Sequence, residues 1–186
     1  MKTITTFLFI VFCSTMVFGQ KCKPYKKVED KITDETTHLW GNRIDTKSSS
    51  LSLDGRGHNV YFSVAKDNTN KPYALLQIEN IALKGESDIY DVNFEKESDY
   101  VIKTDNGVVT FSISKINKNK QKVLKNLYII NQLIAFPSQE DLETLANGNF
   151  QYFRVTNTDG VPVEGKVNKK LAKKVKEQLN CFLKNN

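Results

Sequence analysis

The residue types best suited to chemistry are few: histidines His38 and His58, and cysteines Cys13, Cys22 and Cys181. Neither a His-x-x-x-His nor a Cys-x-x-Cys pair occurs, so the spacings that gather zinc ligands are missing. No metal site and no cofactor are expected. The Gly-x-Ser-x-Gly turn that presents a serine nucleophile is also missing, although triads assemble from any sequence order. A hydrolase would therefore have to take its base from His38, near Trp40, or from His58, just after the turn Asp54-Gly55-Arg56-Gly57. Structural roles are the commoner fate of a histidine in either setting, and no catalytic residue is assigned.

Carboxylates offer a second kind of site. Asp30, Asp34 and Glu35, with Asp45 further on, carry the oxygen ligands that suit calcium, but their spacing lacks the glycine and the closing glutamate of an EF-hand loop. Solvated turn acids account for them. Asp54-Gly55-Arg56-Gly57 is followed by no Lys-Ser or Lys-Thr and precedes a strand, whereas phosphate loops open a helix.

The cysteines point to a compartment. Lys2, the apolar run Phe7 to Phe12, and Val17 and Gly19 before Gln20 read as a signal peptide over residues 1–19. That run is too short to cross a bilayer as a permanent helix. A lipid anchor on Cys13 would follow a large Phe12 where a small residue is expected. Removing the leader leaves 167 of the 186 residues, a single exported domain over 20–186, with a formal charge of +5 once Lys2 has gone. Two cysteines then remain, Cys22 and Cys181, with one possible pairing. An oxidising destination favours a disulfide between them, closing nearly the whole domain.

The positive charge is moderate and, in an exported chain, argues for no nucleic-acid partner. Much of it lies on the last segment. Val167, Leu171, Val175, Leu179 and Phe182 recur at helical spacing, while Lys169, Lys170, Lys173, Lys174, Lys176 and Lys184 take most of the rest of the surface. The first five of those lysines could meet anionic lipid or acidic glycan, each contributing about 1 kcal/mol at best near such a surface. A charged outer face on a packed helix is the simpler explanation, because the exposed Trp or Phe stripe of an interfacial helix is missing.

The elements that must position these residues are mostly strands. Tyr25 to Asn42 reads as two short strands around a polar turn, followed by a Ser-rich loop over 45–50. His58–Lys66 alternates Val60, Phe62 and Val64 with Tyr61, Ser63 and Ala65, and Tyr73–Glu79 returns after a polar turn. Ile81 to Leu83 and Ile89 to Phe94 suggest short strands. Tyr100–Lys103 and Val108–Ser114 flank Asn106-Gly107, a strong hairpin signal. Ile116 to Val123, rich in lysine and asparagine, reads as an exposed loop, and the apolar run Leu127 to Phe136 as a buried central strand, with a buried helix as the alternative. Ser138, with Asp141 three residues on, marks a short helix ending at Gly148. Phe150–Thr156 and Val161–Val167 complete the strands, with Pro162 confined to an edge or bulge. The expected architecture is α+β: an antiparallel, hairpin-rich sheet of about eight strands, with the short helix and the C-terminal amphipathic helix packed on it.

Two stretches carry a resemblance. Cys22 to Asp34, with Val28-Glu29-Asp30-Lys31-Ile32-Thr33, and Phe153-Arg154-Val155 through Lys169-Lys170-Leu171-Ala172 to Leu179-Asn180-Cys181 resemble uncharacterised small secreted proteins of Bacteroidota. The resemblance implies export, agrees with the cysteine bridge, and brings no activity. The functional expectation is a non-enzymatic exported or envelope module that binds a protein or polymer partner. A secreted hydrolase and a basic binder of anionic surfaces are the alternatives.

Overall fold

The computed structural model describes residues 22–29, 36–47, 56–82, 93–96, 98–123, 126–160 and 162–185. The expected leader, Cys13, the acids at 30, 34 and 35, and the strand expected from Ile89 lie wholly or mainly outside these residues. Two antiparallel sheets face each other. The larger runs in the order β1 (Lys26–Glu29), β2 (Thr36–Lys47), β3 (Arg56–Lys66), β4 (Pro72–Ala82), β8 (Asn126–Ala135), β7 (Lys115–Val123). The smaller is β10 (Pro162–Lys166), β9 (Phe150–Thr156), β5 (Asp99–Thr104), β6 (Val108–Ser112).

Alternation explains which side chains meet. On β3, Val60, Phe62 and Val64 face inward; on β4, Ala74, Leu76 and Ile78 do the same, and all are fully buried. From the smaller sheet, Tyr100, Ile102, Phe111 and Phe153 meet them in one continuous core. Phe62 is the bridge, with its ring 5.9 Å from that of Phe111 and 5.4 Å from that of Phe150. The run from Leu127 is a strand as far as Ala135, β8, and sits between β4 and β7, which satisfies its backbone on both sides, whereas Phe136 falls beyond the strand and is exposed.

The fold class is as expected, but the strands divide between two sheets, and two stretches differ in kind. Residues 45–47, expected to open a loop, continue β2 to Lys47. Residues 116–123, expected as a loop, form the edge strand β7, paired along its length with β8. Polar alternation hides such a strand from a hydrophobicity pattern. An edge needs no apolar face of its own, and lysines there discourage pairing with other chains.

Helix α1 (Gln139–Asn147) begins at a reciprocal cap: Asp141 N donates to Ser138 Oγ at 3.1 Å, and Ser138 N donates to Asp141 Oδ2 at 2.9 Å. Helix α2 (Lys169–Lys184) starts two residues later than the apolar spacing suggests, because Asn168 caps it by accepting from Lys170 N at 2.8 Å. Ala172, Val175, Leu179 and Phe182 bury its inner side against β2, β3 and β9, while Leu171 stays half-buried. Cys181, near the end of this helix, is bonded to Cys22 just before β1, with the two Cα atoms 5.4 Å apart.

Candidate binding face

The outer face of the larger sheet is where unspent surface collects. Leu39, Ala65 and Leu75 form a second, smaller apolar cluster there, with Tyr73 and Ile134 packed beside it. Among the described residues both helices pack into the main core on the other face. Beside this cluster lies a concavity of about 290 Å³, floored by Leu39, Ser63 and Leu75 and walled by Tyr25 and Tyr61, whose rings are 6.3 Å apart. Tyr25 is 43% exposed, an unusual degree for a large ring next to an apolar floor.

The backbone sets this arrangement. Tyr25 N donates to Leu39 O at 2.8 Å, so the chain entering β1 is laid over β2 and its ring reaches β3. The far side of the concavity is polar. Gln77 Nε2 donates to Glu79 Oε1 at 2.7 Å, and Gln132 Nε2 donates to Gln77 Oε1 at 3.1 Å. Partial burial and the Glu79 carboxylate raise the pKa values of Tyr25 and Tyr61, with Arg43 opposing; Tyr61 also hydrogen-bonds Glu79. Both phenols are therefore neutral donors at ordinary pH. Two larger hollows exist, but one, over Asp99 and Arg154 beside Val101 and Pro162, has no aromatic ring, and the other, by Lys166 and Lys169, offers only the buried Phe150.

The two histidines fall apart. His38 is exposed on β2 and faces Lys27 across the ladder. His58 Nε2 lies 2.9 Å from Asp45 Oδ2, a pair joining β3 to the bulged part of β2, where Ile44 is turned fully into the core. This carboxylate orients the imidazole as it would orient a base. Among the described residues no group of three His, Cys, Asp or Glu side chains is placed to hold a metal ion.

Of the five helix lysines expected to meet an anionic surface, Lys169, Lys170, Lys173 and Lys174 are exposed, whereas Lys176 is half-buried and donates from Nζ to Asn147 O at 2.7 Å. It holds the end of α1. Lys173 stands 3.9 Å from Glu177, one turn along, an exposed pair of small energetic weight. Among the described residues no helix is long and apolar enough to cross a membrane.

Sequence patterning missed a polar band on the inner face of the larger sheet. The ladder sets His58 opposite Asn80, while Asn131, opposite Ile78, stands on the neighbouring diagonal. Asn80 and Asn131 are 3% and 1% exposed, and among the described residues the Nδ2 of each and the Oδ1 of Asn131 have no hydrogen-bond partner. Only the register brings them together, so no local signal announces them.

No family model matches this chain, and no curated protein or solved structure matches it either.

Proposed function

We propose that this is an exported, non-enzymatic module that binds a protein or polymer partner through the outer face of its larger sheet. The observation that carries the reading is the Tyr25–Tyr61 concavity, a ring pair with Tyr25 exposed and Tyr61 half-buried, over an apolar floor with an organised polar margin. Convergent polar groups around an apolar concavity are the usual form of a recognition site. Export rests on the leader-like residues 1–19 and is supported by the Cys22–Cys181 bridge, which suits an oxidising compartment.

The test is capture from an envelope extract on the immobilised protein, washed at low and then high salt. Partners held through high salt, and lost with Tyr25→Ala plus Tyr61→Ala, support the reading. Capture untouched by that double variant overturns it. If changing Lys169, Lys170, Lys173 and Lys174 to Gln abolishes a salt-sensitive capture instead, the helix lysines bind an anionic surface. The hydrolase reading draws on the Asp45-held His58. It falls if an activity found in the protein survives replacement of His58 and His38.

A further inference from the structure

We infer that the Tyr25–Tyr61 concavity takes the ring of a neutral oligosaccharide, an inference that rests on the binding reading above. Four features of the site narrow the occupant. The floor belongs to β2, β3 and β4, each paired on both sides, so the floor itself offers no open backbone edge; the open edge of the sheet is that of β1, at the rim, where Lys26 lines the concavity. Recognition on the floor must come from side chains.

Charge narrows it further. Lys26 lines the concavity and Arg43 acts on both tyrosines, which disfavours a cationic guest despite the aromatic pair; Glu79 disfavours an anionic one. A wholly apolar guest would cover Gln77 and Glu79 and strip them of water without returning hydrogen bonds. What remains is a neutral molecule with an apolar face and a polar rim. A sugar ring has this character: its C–H face lies on Tyr25 and Tyr61 above Leu39 and Leu75, and its hydroxyls reach Glu79 and Gln77. The chain Gln132 to Gln77 to Glu79 fixes the rim groups before a ligand arrives, which lowers the ordering cost of binding. A concavity of about 290 Å³ is at the small end of ligand sites and suits one or two sugar rings of a longer polymer.

The experiment is an NMR titration of the purified, disulfide-intact protein with cellohexaose, maltohexaose, N-acetylchitohexaose and mannohexaose, and with a heparin hexasaccharide as the acidic comparison. The expected result is that at least one neutral oligosaccharide, up to about 10 mM, a range that reports weak affinities, shifts the Tyr25 and Tyr61 ring signals and the Gln77 side-chain amide. Binding should persist in high salt. It should weaken roughly five- to tenfold on Tyr61→Ala or Tyr25→Ala, as loss of one aromatic contact implies. Gln77→Ala gives a second variant at a polar position should a tyrosine variant fail to fold, and it too should weaken binding. The inference is overturned if none of the four neutral sugars shifts those signals, or if only the heparin fragment binds and its shifts map to Lys169, Lys170 and Lys173. Capture that depends on the tyrosines, together with silence from all four sugars, removes the sugar and leaves the binding face standing. Capture that ignores the tyrosines removes both.

Discussion

Asn180 donates from Nδ2 to the carbonyl oxygen of Ala146 at 2.6 Å, so the last turn of α1 is finished by a side chain from α2. Final helical carbonyls have no partner within their own helix. Lys176 supplies the next one and adds a cation where the helix dipole is negative; α1 has no basic residue of its own in that turn. Asn180→Ala should destabilise the protein by about 1–2 kcal/mol in urea unfolding, the cost of an unsatisfied, partly buried carbonyl. Equal midpoints for the two proteins would show that water replaces the amide.

Tyr100 should be better off without its hydroxyl. The ring is fully buried and stacked on Phe111 at 4.6 Å, its oxygen has no hydrogen-bond partner among the described residues, and burial pushes its pKa well up. Tyr100→Phe keeps the stack and removes the stranded group, so stability should hold or rise by about 1 kcal/mol. A clear loss would show that the hydroxyl is hydrogen-bonded in solution.

Gly41 is expected to be intolerant. A Cβ there would stand 2.0 Å from Phe62 O and 2.5 Å from Ser63 Cα, both backbone atoms of the neighbouring strand. Gly41→Ala should therefore cost about 3 kcal/mol, at the upper end for overpacking, and lower the thermal midpoint. Gly160 is the contrast: φ is +74°, but a Cβ would meet nothing within 4 Å, so Gly160→Asn should be mild.

Asp105 joins the two ends of a hairpin and helix. Its carboxylate accepts from Asn149 Nδ2 and from Asn149 N, and these bonds hold its pKa below the usual carboxylate value. A depressed native pKa contributes stability above the unfolded value, and that contribution is lost as pH falls through the folded one. Carboxyl NMR should show Asp105 titrating below an unstructured aspartate, as should Asp67, which accepts from Thr69 and Lys71. Ordinary titration of Asp105 would show that the Asn149 bonds do not hold in solution.

Joining Cys22 to Cys181 should show as an intact mass that rises by two hydrogens on reduction. Cys22→Ser with Cys181→Ser should cost roughly 2–5 kcal/mol, the range for removing a native bridge from a small domain. The measurement is urea unfolding of both forms, and coincident curves would mean that the bridge adds nothing.

What the sequence discloses is whatever depends on neighbours in the chain. Asn106-Gly107 announced its hairpin, and Gly107 has φ +156°; Ser138 and Asp141 announced the cap of α1; the alternation of Val60, Phe62 and Val64 announced a buried face. The edge strand β7 escaped because its lysines and asparagines serve an edge, where no apolar pattern is required. The second sheet escaped for a different reason. Nothing local to β5 tells that its neighbour on one side is β9, because an intervening pair of strands and a helix must first return to the other sheet. The same holds for the concavity: Tyr25 and Tyr61 meet only through register, and neither residue carries a motif.

The bond between Cys22 and Cys181 also changes what a cut would mean. With a sequence separation of 159, every loop joining one described strand or helix to the next lies inside the covalent circle. A protease that severs one of these loops once therefore opens the circle and releases no fragment; both new ends stay tethered to the same folded body. Two cuts are needed before any piece can leave. Outside a cell, such a protein would survive its first proteolytic injury as a single molecule.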